Sequence, residues 1–149
     1  MVTFDFQMKK LTLPSSIFES SEKELSSTDK KLLSLAKKSA KSAHAPYSKF
    51  KVGSAVLLTN GKIISGNNQE NAAYPSGLCA ERVALFYTSS QFPKAKIKSI
   101  AITSLPCGAC RQVMAEYEFK QKSKIRIIMV GEKGRMFIAE GTGNLLPLY

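Results

Sequence analysis

All three cysteines of this chain lie in two short segments, Cys79-Ala80-Glu81 and Pro106-Cys107-Gly108-Ala109-Cys110. Cys107 and Cys110 stand at i and i+3, so on a helix both thiols face one point. Cys79 opens a second predicted helix. At a helix start, free N–H groups and the positive end of the dipole favour thiolates. Three thiolates with one open position describe a catalytic zinc centre, because a structural one closes all four positions with protein ligands. An odd cysteine count also argues against a disulfide framework and fits a reducing cytoplasm.

The 149 residues fit one compact domain, and 44% hydrophobic content is enough to build a core, which excludes disorder as the main state. No apolar run approaches the ~18 residues of a membrane helix, and Met1 to Lys10 lacks the apolar stretch of a secretory signal. The expectation is a small cytoplasmic domain. The formal charge of +11 raises nucleic acid as a partner. Against it, 18 of the 22 basic residues are Lys, and only Arg82, Arg111, Arg126 and Arg135 offer the bidentate guanidinium that base and phosphate readers favour. The lysines are scattered over several segments, which reads as a solvated basic surface with neither membrane nor nucleic acid as its target.

Residues 1–26 alternate loosely at Val2, Phe4, Phe6, Leu11 and Leu13 and then become rich in Ser and Glu, which reads as an arm carrying at most one short strand. Ser26 or Thr28 caps a helix running to about Ala43, with Leu32, Leu35, Ala36 and Ala40 at helical spacing. Pro46 stops it. Lys51 to Leu58 is a strand, and Asn60-Gly61 predicts a type I′ hairpin turn into Lys62 to Ser65. Helices are predicted from near Cys79 to Ser89 and from Cys107 to Phe119, and strands at Lys98 to Thr103, Ile125 to Val130 and Arg135 to Ala139. The order α-β-β-α-β-α-β-β predicts an α/β fold, a three-layer sandwich with a mixed five-stranded sheet over residues 27–149.

Other readings of the cysteines remain. A lone C-x-x-C serves redox chemistry in other settings, but here it would leave Cys79 and Glu81 unexplained. A structural zinc would recruit His44, the single histidine. Glu81 two residues after Cys79 is by itself an ordinary partner for a helix dipole. Residues i and i+2 of an ideal helix diverge, so this spacing alone does not aim both at one metal. The longer pattern is more specific. A ligand-x-Glu followed by Pro-Cys-x-x-Cys is the signature of zinc nucleobase deaminases, in which the Glu moves protons and is no ligand.

Over roughly residues 28–149 the sequence resembles the homotetrameric cytidine deaminase family. The matching stretches are Ala45-Pro46-Tyr47-Ser48-Lys49-Phe50-Lys51-Val52-Gly53, Asn68-Gln69-Glu70-Asn71-Ala72-Ala73-Tyr74, Cys79-Ala80-Glu81-Arg82, Pro106-Cys107-Gly108-Ala109-Cys110-Arg111-Gln112 and the tail Leu145-Leu146-Pro147. The resemblance implies the cytidine deaminase fold, one zinc per subunit and active sites shared between four subunits. It implies Cys79, Cys107 and Cys110 as zinc ligands, Glu81 as proton shuttle and Arg82 as a charge-tuning neighbour of the thiolates. It implies that Asn68 and Glu70 hold the ribose 3′-hydroxyl; in extended backbone, residues i and i+2 do project to one side. Phe50 would pack on the pyrimidine, and Ala72 and Tyr74 would reach the 5′-hydroxyl side of a neighbouring subunit's substrate.

Two features depart from the family. Only Leu105 stands between Ser104 and Pro106, where the family usually has a loop several residues longer. Many members also carry an aromatic three positions after the tail proline, whereas this sequence reaches Tyr149 two positions after Pro147. The activity implied is hydrolysis of the C4 amine of cytidine or 2′-deoxycytidine to uridine or deoxyuridine plus ammonia. A zinc deaminase acting on another cytosine-type substrate and a non-enzymatic zinc module binding nucleic acid are the alternatives.

Overall fold

Each long apolar strand of this chain alternates between two buried faces, and this decides the layering. A computed structural model describes residues 15–147; the expectations for Val2, Phe4, Phe6, Leu11, Leu13 and Tyr149 lie outside the described residues. The elements are β1 (Ile17–Ser20), α1 (Ser27–Ala40), β2 (Gly53–Leu58), β3 (Ile63–Asn67), α2 (Ala80–Gln91), β4 (Ile97–Ile102), α3 (Gly108–Gln121), β5 (Arg126–Val130) and β6 (Met136–Glu140). Val56, Leu58, Ile100, Ile102, Ile127 and Met129 pack on one side of the sheet with Ala84 and Leu85 of α2 and Met114 of α3. Their neighbours Ala55, Leu57, Ala101 and Ile128 pack on the other side with Leu32, Leu33 and Ala36 of α1. The period of two in the strands thus fills two cores at once, giving the expected three-layer sandwich.

The strand order is β1-β6-β5-β4-β2-β3. β4 and β5 pair in parallel, while β1 with β6, β6 with β5, β4 with β2 and β2 with β3 are antiparallel. A parallel pair needs a crossover, and α3 supplies it. That crossover sets the N-terminus of α3 beside the C-terminal end of β4, the end of a parallel strand pair where α/β proteins place their ligands.

Three local expectations are corrected. The sheet has six strands, not five, because Ile17–Ser20 adds to the outer edge of β6 with Ile17 opposite Ala139. Partners far along the chain hold it there: Ser15 Oγ and Ser16 N–H donate to Asn144, and Arg135 donates both Nε and Nη2 to Glu19 at 2.8 Å. The hairpin between β2 and β3 is not type I′. Of Asn60 and Gly61, only Gly61 has positive φ (83°), with Gly61 N–H donating to Leu58 O at 3.0 Å and Leu58 N–H to Lys62 O at 2.9 Å. This is a three-residue loop, a type I turn ended by a left-handed glycine. Helix α1 begins as expected, with the Ser26 hydroxyl accepting from Asp29 N–H at 3.1 Å, but ends at Ala40. There the backbone tightens into i→i+3 bonds through Ala43. Among the described residues no helix is long and apolar enough to cross a membrane.

Two glycines set how closely the helices approach the sheet. A Cβ on Gly53 would lie 2.0 Å from Ala36 O, and one on Gly66 would lie 2.6 Å from Ala84 N and 2.7 Å from Ala80 O. Both collisions are with helix backbone, which cannot swing away as a flexible side chain does. Gly66→Ala is therefore expected to destabilise the fold by about 1–3 kcal/mol. Urea unfolding would measure this, and a midpoint equal to that of the parent would contradict the packing argument.

Candidate active site

The first turns of α2 and α3 place the thiols. Cys79 and Cys107 are the N-cap residues of these helices, both with extended backbone (φ −70°, ψ 156° and φ −69°, ψ 169°), and Cys110 lies in the first turn of α3. Because Cys79 sits on the cap and not inside the helix, the divergence of i and i+2 does not apply to Cys79 and Glu81. The three sulfurs all lie within 4.8 Å of one another, and those of Cys79 and Cys107 are 3.8 Å apart. Two thiolates bound 2.3 Å from one tetrahedral ion stand about 3.8 Å apart, so the cluster fits zinc. Cys110 is buried, Cys79 half-buried and Cys107 exposed, so the cluster opens to one side only.

His44 is absent from this group. Among the described residues the metal-capable cluster comprises the three cysteines alone. His44 contributes backbone instead, its N–H donating to Asn68 O at 3.1 Å and its carbonyl accepting from Glu70 N–H at 2.8 Å. A structural site closed by His44 is thereby removed.

Electrostatics separate the groups. The Cys110 thiol donates to Cys79 and, with Arg82 and Cys107 beside it, pulls the Cys79 thiol down to about 5. The same contact, together with burial, pushes Cys110 up. Arg82 reaches Cys79 Sγ with Nη2 at 3.8 Å and donates to Gly77 O at 3.2 Å. Three thiolates on a divalent ion leave a net negative centre, and a guanidinium at the sulfur withdraws part of that charge. Glu81 is 3% exposed, and its carboxyl is raised first by burial and further by the Cys79 charge. A carboxyl held above its usual range beside a thiol cluster suits a group that takes and returns a proton.

Phe50, Asn68, Glu70, Cys79, Glu81 and Cys107 line one cavity of about 230 Å³. Cys110 sits behind it. The Asn68 side chain accepts from Val52 N–H at 2.8 Å and donates to Phe50 O at 2.9 Å, so it clamps both ends of the segment that presents Phe50. Glu70 accepts from the N–H groups of Tyr47 (2.9 Å) and Ser48 (3.2 Å) and from the Ser48 hydroxyl. That hydroxyl, followed by the backbone donors, holds the Glu70 carboxyl below its usual range. Lys49 between them adopts φ 61° and turns the chain toward Phe50. Ala72 and Tyr74 do not line this cavity. Both are exposed, and Tyr74 borders an adjoining cleft with Asn68, Glu70, Cys79 and Arg82.

Sequence reasoning did not single out Ser48, Val52, Ser104 or Leu105, which also line the cavity. Ser48 and Val52 lay inside a matched stretch. Leu105 was visible as the single residue of a short connection.

A mixed sheet between helices, with three converging thiols and a buried carboxyl at two helix starts, has the parts of a metal centre with a proton-transfer group beside it. Residues 26–125 match the family described as the cytidine and deoxycytidylate deaminase zinc-binding region, and the chain belongs to that family. It is 44% identical over 93 residues to a cytidine deaminase of Sporosarcina psychrophila, spanning 58% of this chain and 68% of that one. It is 49% identical over 79 residues to one from Halalkalibacterium halodurans, covering 50% of this chain and 60% of that relative. In three dimensions it is similar to the cytidine deaminase of Burkholderia pseudomallei, with TM-score 0.69, 36% identity and coverage of 79% and 95% of the two chains.

Metal analysis separates the ligand from the bystander. Cys107→Ala is expected to lose stoichiometric zinc, whereas His44→Ala retains it. Equal zinc content in the two variants would remove Cys107 from the ligand set.

Proposed function

We propose that the chain hydrolyses the C4 amine of cytidine and 2′-deoxycytidine, giving uridine or deoxyuridine and ammonia. One observation carries this: a single cavity joins the thiol cluster, the buried Glu81 carboxyl, an aromatic face and an amide–carboxylate pair. Cys79, Cys107 and Cys110 would hold the zinc, which supplies when bound the acidity that makes hydroxide available near neutral pH. Glu81 accepts the proton of the attacking water, passes it to ring N3 and later delivers one to the departing amine. Its raised pKa serves both directions. Phe50 packs on the pyrimidine, and Asn68 and Glu70 face the ribose 3′-hydroxyl while holding the turn that carries Phe50. Closure around the nucleoside keeps bulk water from the reacting atoms.

A nucleic-acid-binding zinc module would require a fourth protein ligand, and the described residues provide three. Ammonia release from cytidine, with zinc measured on the same sample, tests the reading directly. In that assay Glu81→Gln keeps zinc and fold and loses turnover by about two to four orders of magnitude, because an amide relays no proton. Loss of zinc in that variant, with turnover restored by added metal, would assign Glu81 a structural task.

The assembly follows the family expectation of a homotetramer with shared sites. Phe50 and Leu105 of the cavity and Tyr47 and Tyr74 of the adjoining cleft are all more than half exposed in the single chain, Tyr74 at 86%. A neighbour that covers them completes the pocket, with Ala72 and Tyr74 reaching across and the Lys surface left outside the contact. We place the chain in the cytoplasm, where thiols remain reduced, and assign catalysis to residues 27–149 with 1–26 as an arm. Sedimentation at assay concentration is expected to give a mass near four chains; a fully active monomer would overturn the shared site but not the zinc chemistry.

A further inference from the structure

Among the residues lining the reaction cavity, Leu105 alone also lines a second cavity, about 450 Å³, walled by Ile17, Met129, Phe137 and Leu145. Its backbone is held from both sides. Two residues earlier, Thr103 N–H donates to Gly53 O at 3.0 Å and Thr103 Oγ1 accepts from Gly53 N–H at 2.9 Å, and Pro106 after it is buried. The Leu105 side chain is nevertheless 54% exposed. An apolar side chain on a pinned backbone, half in water, at the boundary between two cavities is a partition.

The orientation of the substrate says what the partition faces. On the reading proposed above, the ribose on N1 lies at Asn68 and Glu70. N1 and C4 occupy opposite corners of the pyrimidine ring, so whatever C4 carries points away from that clamp. It points toward the thiol cluster and the connection from β4 to α3, in which Leu105 is two residues from Cys107. We propose that Leu105 is a specificity-determining residue that restricts the C4 substituent to an unsubstituted amine. The cavity behind it, whose walls are largely apolar, has the size and chemistry to receive an alkyl group on that nitrogen once the wall is cut back. The reaction is otherwise the same: water adds its oxygen to C4, the C4–N4 bond breaks, and the alkylamine leaves with the proton that ammonia would carry. This inference rests on the deaminase reading.

The experiment compares kcat/KM for cytidine and N4-propylcytidine in the parent enzyme, Leu105→Ala and Leu105→Ala with Ile17→Trp. The parent is expected to prefer cytidine by at least 100-fold. Leu105→Ala narrows that preference by at least tenfold, and Ile17→Trp, which fills the second cavity from the exposed edge strand, restores most of it. Mere loosening of the connection would not respond to a change at Ile17. As a readout independent of turnover, N4-propylcytidine inhibits cytidine hydrolysis at least tenfold more tightly in Leu105→Ala than in the parent. A preference and an inhibition that both stay within twofold of the parent overturn the role of Leu105, as does a narrowed preference that Ile17→Trp leaves unchanged. A parent enzyme inactive on cytidine overturns the deaminase reading itself, and is distinguished by that inactivity from either result.

Discussion

Three thiols crowded within 4.8 Å are an unfavourable arrangement for a small domain, because thiolates repel and a buried thiolate loses its hydration. The rest of the molecule is arranged to hold them. Two helix starts supply unpaired N–H groups and a positive dipole end, and Arg82 adds a full positive charge at Cys79. The α3 crossover delivers Cys107 and Cys110 to the end of β4, and Gly66 lets β3 lie close enough to α2 to bring Cys79 to the same place. Glu81 gains its raised proton affinity first from burial under the same helix packing and further from the Cys79 charge. Metal centre, proton-transfer group and helix packing are one construction.

What was legible in the sequence was local. The i, i+3 pair Cys107 and Cys110 is a property of one helical turn, and the apolar run Ile125 to Val130 is a property of one strand. The convergence of Cys79 on that pair was not readable from spacing. Cys79 was read as opening its helix, but how closely that helix start approaches the other depends on the sheet and on the contacts at Gly66. The edge strand at Ile17–Ser20 was weak for the opposite reason, since its four residues owe their conformation to β6 and to Asn144 and Arg135. Asn60-Gly61 misled because the turn signal is shared by two loop lengths, and the bond from Leu58 to Lys62 selected the longer one. Asn68 and Glu70 were noticed as a pair facing one side. Their bonds to the Phe50–Val52 segment and to the turn at Tyr47 and Ser48 needed coordinates.

The basic surface and the site are nearly independent. A cytosine nucleoside is neutral, so a charge of +11 does little to hasten its arrival. The lysines are spread over several segments, and among the described residues none of them lines the cavity. What the cavity presents to a neutral ligand is short-range shape, with Phe50 and Leu105 among its walls.

The pairing of β1 with β6 also governs when the sheet can be finished. Glu19 and Arg135 are 116 positions apart, so the chain closes a very large loop before that ion pair and its ladder form. As the polypeptide leaves the ribosome, residues 17–20 emerge well before β6 and wait for it to follow. During that interval the segment around Ile17 and Phe18 has no partner strand. Its Ile17 and Phe18, still largely exposed in the folded chain, then stand open to water among hydrophilic Ser and Glu neighbours.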